Sequence, residues 1–241
     1  MSNNKFDFKQ FSIIQEKSAM KVGTDGVLLG AWSKPDNSII SNSCFHVLDI
    51  GTGTGLIALM ISQRYPNAII DAIEIDHDAA NEASLNVANS PWSERINIIE
   101  SSLNDFRPTT RYDLIVTNPP FYNATLKPED NARASARHYD SLPFVDITRF
   151  ADVYLSENGI LSVIYPSNCE ENIMLGISVS SLRFHTICDV YTKDNKPCKR
   201  RMASFSKQDT EVINEHIIIR NSNNEYSEEY SLLTSDFYLN L

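Results

Sequence analysis

Apolar positions recur along this chain with two different periods, and their alternation predicts the fold. Phe45-His46-Val47-Leu48-Asp49-Ile50 is a short, nearly continuous apolar run, as a buried strand requires, and Gly51 to Gly55 break it. Leu56 to Arg64 then reads as a helix with Leu56, Leu59 and Met60 on one face. Ala68 to Ile75 is a second strand. His77 to Asn89 is a polar-faced helix stopped by Pro91. Ile96 to Ile99 and Tyr112 to Thr117 are the third and fourth strands. A helix from Leu142 to Leu155, with Leu142, Val145, Phe150 and Tyr154 near helical spacing, leads into a strand from Ile160 to Tyr165. Beyond residue 168 the order is helix, strand (Phe184 to Tyr191), basic loop and two more strands (Ala203 to Ser206, Val212 to Ile219).

Strands alternating with helices imply a parallel sheet covered on both faces, and right-handed crossovers make it doubly wound. The expectation is therefore an α/β, mostly parallel, seven-stranded Rossmann-like sheet with a late antiparallel hairpin at its edge. A polar break from Ser33 to Ser43 divides the chain. It predicts one domain with an N-terminal cap (1–43), a core (44–220) and a C-terminal tail (221–241) docked through Phe237-Tyr238-Leu239.

Composition narrows the function. At 241 residues, 42% hydrophobic and 22% charged, the chain suits one soluble globular domain. Its longest apolar stretch, Val47 to Ile61, contains Asp49 and three glycines, too polar to span a membrane. Met1 to Gln10 lacks the apolar centre of a signal peptide, so the expected location is the cytoplasm, with a monomer favoured. Cys44, Cys169, Cys188 and Cys198 stand at none of the short spacings of zinc or redox sites, so no metal is expected. A net charge of −10 repels nucleic acid on average, so an RNA or DNA partner would need concentrated Lys and Arg.

Two motifs carry chemistry. In Asp49-Ile50-Gly51-Thr52-Gly53-Thr54-Gly55 the glycines follow the first strand, where a ligand binds in such sheets. Glu74, followed by Ile75, ends the second strand about 20 residues further on, where a carboxylate can accept both hydroxyls of a ribose. A dinucleotide loop wants G-x-G-x-x-G, but its third position is Leu56. Asp49, two residues before Gly51, would repel a pyrophosphate and suit an amino-acid ammonium. Both details favour S-adenosylmethionine, although the loop alone also fits a plain structural turn.

The second motif, Asn118-Pro119-Pro120-Phe121, follows the fourth strand. Two prolines hold a loop rigid and leave its carbonyls free to accept. The Asn118 side-chain oxygen and the Pro119 carbonyl can each take one N–H of an exocyclic amine, orienting its lone pair, while Phe121 stacks on a flipped-out planar base. Read alone, the motif is also compatible with an ordinary Asn-Pro turn.

These motifs resemble the class I amino-methyltransferases that act on adenine N6 or glutamine N5. Phe8-Lys9-Gln10-Phe11, Met20-Lys21-Val22-Gly23-Thr24-Asp25-Gly26 to Trp32, Ser90 to Asn97 and Tyr226-Ser227-Glu228 to Phe237-Tyr238 resemble more closely the bacterial tRNA1(Val) adenine 37-N6 methyltransferases, over nearly the whole chain. The resemblance implies that N6 of the adenosine next to the anticodon of a valine tRNA is methylated. It implies that Lys21 to Gly26 cover the methionine end of the cofactor, with Gly23 and Gly26 flanking Thr24 and Asp25; either of these two could instead simply cap a helix. The chain departs from the family just after the third strand. Ser102 stands where an acid usually binds the cofactor's adenine amine, with Asn104 and Asp105 beside it.

Substrate contacts are expected from Tyr122, Arg133 and Arg137 beyond the catalytic loop, where Lys127, His138 and Tyr139 also lie. A second set comprises Lys199, Arg200 and Arg201, in a cluster with Lys193, Lys196 and Lys207. Each cluster also fits a solvated loop. Three other readings stay open: a protein glutamine N5-methyltransferase, a DNA adenine methyltransferase and a non-catalytic RNA-binding protein. The first usually carries a helical N-terminal domain, for which the stretch before Cys44 leaves little room. The second usually carries a recognition domain. Intact Asn118 and Glu74 argue against the third.

Overall fold

A computed structural model describes residues 4–41, 44–120 and 142–240. A hairpin of β1 (Lys5–Asp7) and β2 (Ser12–Ile14) opens the chain, followed by α1 (Thr24–Trp32) and the short α2 (Asn37–Ile40). The core then runs β3 (Phe45–Ile50), α3 (Leu56–Arg64), β4 (Ala68–Glu74), α4 (His77–Ala88), β5 (Ile96–Glu100) and β6 (Tyr112–Thr117). It continues with α5 (Phe144–Tyr154), β7 (Leu155–Pro166), α6 (Glu170–Ser178), β8 (Arg183–Lys193), β9 (Arg200–Ser206), β10 (Ile213–Arg220) and α7 (Glu228–Thr234).

The sheet order is β10-β8-β9-β7-β6-β3-β4-β5. Every neighbouring pair is parallel except those of β9, which lies antiparallel between β7 and β8. The sheet thus has eight strands, one more than the expected seven, because every stretch read as a strand from Phe45 onward joins it. The last of them, expected at Val212 to Ile219, is β10, a half-exposed edge strand parallel to β8. The C-terminal segment follows it, with the Ser227 amide donating to the Ile219 carbonyl at 3.0 Å. The order turns back between β3 and β6, and the crevice at their C-terminal ends is where ligands bind in sheets of this kind.

One face of the sheet packs under α1, α3 and the chain ends, the other under α5 and α6. Gly26 to Trp32 of α1 are all buried, because this helix lies between the sheet and other helices instead of bordering water. The two ends of the chain clasp each other. The Lys9 amide donates to the Phe237 carbonyl at 2.8 Å, Phe237 is 1% exposed, and Tyr238 stacks on Phe8 with centroids 5.8 Å apart. β1 and β2 escape a pattern reading because a three-residue strand is too short to establish a period.

Candidate active site

The site begins where β3 ends. Gly51 and Gly53 adopt φ of +69° and +55°, a left-handed conformation that side chains disfavour. Nothing lies within 4 Å of a Cβ built on either, so open space faces the loop. The amides of Gly51 and Thr52 donate to the Ile73 carbonyl on β4 at 2.9 and 3.0 Å, which fixes the start of the turn. Gly55 closes it as the residue capping α3.

Asp49 is fully buried beneath this loop. Its Oδ2 accepts from the Thr52 hydroxyl at 2.6 Å, while Oδ1 has no hydrogen-bond partner. Burial pushes the carboxyl up to about 7, against the opposing pull of Thr52 and the Ala58 amide, and the nearby Glu74 adds to the rise. An orphaned buried carboxylate oxygen fits a site that receives a cationic group.

Glu74 ends β4 and gathers three backbone amides: Gly53 at 2.8 Å on one oxygen, Ile75 and Asp76 at 2.9 and 3.0 Å on the other. It therefore holds the glycine loop, and each oxygen keeps further acceptor capacity. Ile75 is 65% exposed, a flat apolar surface at the strand end. Ser102 follows β5, and its hydroxyl donates to Asp105 Oδ2 at 2.6 Å while accepting from the Asp105 amide at 3.1 Å. A carboxylate thus stands beside Ser102.

Thr117 pairs in register with Ile50 and donates its hydroxyl to the Ile50 carbonyl at 3.0 Å. This sets Asn118, Pro119 and Pro120 beside the glycine loop. The carboxamide Nδ2 of Asn118 faces the Met20 sulfur at 3.8 Å, turned toward the covering segment and not the protein interior. Phe121, Tyr122, Arg133 and Arg137 lie outside the described residues, as does the rest of their cluster.

The segment that covers the site is tied down from an unexpected place. Glu82 and Asn86, four apart on α4, are 4% and 1% exposed, although the pattern assigns this helix a polar, solvated face. Glu82 accepts from the amides of Glu16, Lys17 and Ser18 at 2.6, 3.0 and 3.0 Å, and from the Ser18 hydroxyl. Asn86 bonds both the amide and the carbonyl of Ile14 and the Thr54 carbonyl. Gln15 accepts from the Val22 amide at 2.8 Å. Their i,i+4 spacing was the available signal; Met20 left none.

Lys21 is exposed, Gly23 caps α1, and Thr24 is its first residue, so neither Thr24 nor Asp25 is the capping side chain. Asp25 pairs with Arg200 at 2.7 Å, joining α1 to the start of β9. Two cations of the basic cluster also have partners within the fold. Arg201 is held between Glu170 and Asp189, both at 2.7 Å, and Lys207 donates to the carbonyls of Asp152 and Leu155. These half-buried cations already satisfy acceptors of the protein itself. Among the described residues, no cluster of three or more His, Cys, Asp or Glu could hold a metal ion, and no helix is long and apolar enough to cross a membrane.

Residues 37–175 match the family model of the methyltransferase small domain. A tRNA1(Val) (adenine(37)-N6)-methyltransferase of Flavobacterium psychrophilum is 44% identical over 98% of this chain and 100% of its own length. One of the same name from Christiangramia forsetii is 41% identical over the full length of both. Among solved structures, a predicted O-methyltransferase of Agrobacterium tumefaciens superposes with a TM-score of 0.67. It covers 88% of this chain and 96% of its own at 17% identity, a likeness of fold alone.

Proposed function

The chain belongs to the family of tRNA1(Val) (adenine(37)-N6)-methyltransferases, and from that premise we propose that it transfers the methyl group of S-adenosylmethionine to the exocyclic N6 of adenine 37 in a valine tRNA, in the cytoplasm. The observation that carries this reading is the rigid Asn118-Pro119-Pro120 turn beside an open glycine loop, with the Asn118 carboxamide turned outward.

S-adenosylmethionine, when bound, supplies an electrophilic methyl on a sulfonium. The residues at the sheet edge fit it. The unpartnered Oδ1 of Asp49 takes the ammonium. Glu74 accepts the ribose hydroxyls with the capacity its three amides leave over. Ile75 lies against the adenine ring, whose amine goes to Ser102 and Asp105. Gly51, Thr52, Gly53 and Gly55 let the backbone approach closely, while Lys21, Gly23, Thr24 and Asp25 close over the methionine end.

On the substrate side, the Asn118 oxygen and the Pro119 carbonyl each accept one N–H of the target amine. An aryl amine is a weak nucleophile because its lone pair is delocalised into the ring. Two acceptors favour a pyramidal nitrogen and aim the lone pair at the methyl, so positioning and electrostatics replace a strong base. Phe121 and Tyr122 complete the base pocket, and Arg133 and Arg137 meet the neighbouring phosphates.

The test is transfer from labelled cofactor to tRNA lacking the modification, with the product nucleoside identified. Asn118→Ala is expected to slow transfer by about 100- to 1,000-fold while leaving cofactor affinity unchanged. Parallel loss of cofactor binding would remove the assigned role of Asn118. Label found in protein glutamine instead of tRNA would overturn the substrate.

A further inference from the structure

Most cationic side chains among the described residues are already engaged. Arg64 and Arg95 donate to buried backbone carbonyls, Lys9 to the Ser235 carbonyl, and Lys17, Arg183, Arg200 and Arg201 to carboxylates. Lys193, Lys196 and Lys199 differ. None has a side-chain hydrogen bond or ion pair among the described residues; Lys193 ends β8, and Lys196 and Lys199 sit on the turn from it to β9. Lys196 and Lys199 are exposed.

That turn is pinned by its backbone. The Lys196 amide donates to the Lys193 carbonyl at 3.0 Å. The Ser167 amide and hydroxyl donate to the carbonyls of Lys199 and Cys198 at 3.1 and 2.8 Å, tying the turn to the end of β7. The neighbouring strand adds a fourth cation, because Arg220 pairs in register with Lys193. Its guanidinium lies 4.2 Å from the Tyr226 ring centroid, and one N–H goes to the Asn224 carbonyl. The remaining N–H groups have no partner among the described residues. The local acids are Asp194 and Glu225, with Asp25 matched by Arg200 and both Glu170 and Asp189 held by Arg201. In a chain of net charge −10, the three lysines and Arg220 are the cations of this edge that no carboxylate engages among the described residues.

The edge is the catalytic one. Asn118, Pro166, Arg200, Lys193 and Arg220 mark the same end of β6, β7, β9, β8 and β10 in turn. Four strand spacings separate Asn118 from Arg220, roughly 20 Å along the edge, a span of a few nucleotides. We propose that Lys193, Lys196, Lys199 and Arg220 form a docking platform for the phosphates of the RNA strand flanking the target adenosine. The proposal rests on the reading of tRNA as substrate. It assigns the platform to residues that the strand register gathers, in place of Arg201 and Lys207.

The experiment measures binding of a labelled anticodon stem-loop RNA across a salt series. The variants are Lys193→Gln/Lys196→Gln/Lys199→Gln, Arg220→Gln, and Lys34→Gln as a control at the opposite end of the sheet. The triple variant is expected to bind at least about tenfold more weakly, with a log affinity–log salt slope flatter by about 0.7 to 0.9 per lost contact. Arg220→Gln should flatten it by one contact. Cofactor affinity and kcat at saturating RNA should hold while KM for RNA rises. Unchanged affinity and slope in the triple variant, or an equal loss in Lys34→Gln, would overturn the platform. Wild type that methylates RNA beside an unaffected triple variant sinks the platform alone. Wild type that binds RNA through these lysines without methylating it sinks the reaction and leaves the platform standing.

Discussion

Asp49 keeps a carboxyl away from water with one oxygen unanswered, and burial raises it to about 7. The sign of its effect follows. Between the ordinary carboxylate range and about 7, the folded cofactor-free protein holds a proton that the unfolded chain has lost. Stability of the cofactor-free protein therefore falls as pH rises from about 4 to about 7. A cofactor ammonium beside Oδ1 reverses the preference and expels the proton. Titration calorimetry at pH 6 in buffers of different ionisation enthalpy should register proton release on cofactor binding. Affinity should climb as pH rises toward 7, and Asp49→Asn should bind more weakly and lose the climb. A buffer-independent enthalpy and a flat pH profile would show that Asp49 faces no cation.

At the scale of elements, α4 acts as a rack for the segment that covers the site. Burial alone would raise the Glu82 carboxyl, but the Ser18 hydroxyl and the amides of Lys17, Ser18 and Glu16 outweigh it and hold it below its ordinary value. Its contribution to stability is present above the ordinary carboxylate range and is lost as pH falls through the lower folded value. Glu82→Ala leaves those three amides without their acceptor and is expected to destabilise the protein by about 3 kcal/mol. It should also speed hydrogen exchange at Glu16, Lys17 and Ser18 by about tenfold or more. Exchange there as slow as in the wild type would mean that something other than Glu82 holds the cap.

For the whole molecule, the clasp between the two chain ends bears on stability. Phe237 is buried with Phe8, Phe11 and Tyr230 in the core that also contains α1. Phe237→Ala should therefore cost about 3–5 kcal/mol and lower Tm by about 10 °C. A melting curve within a degree of wild type would mean that the tail merely lies on the surface. Because the same core supports α1 and, through Asp25 and Arg200, the start of β9, the variant should also weaken cofactor binding at temperatures where the ends loosen.

Local pattern determined the alternation of strand and helix from Phe45 to Tyr165, because burial between two layers imposes a period that neighbouring residues alone reveal. The same holds for the glycine loop, Glu74 and the Asn118 turn, whose chemistry depends on residue type at a strand end. What needed tertiary structure was every pairing between residues distant in sequence. β10 joined the sheet through register with β8, and Glu82 and Asn86 turned from a solvated face into anchors for the cap. Arg201 turned from a surface cation into a half-buried link between Glu170 and Asp189, while Arg220 came to stand beside Lys193. A charged residue looks the same in sequence whether it meets water, a carboxylate or a phosphate; only the folded neighbourhood, through desolvation and available partners, decides which.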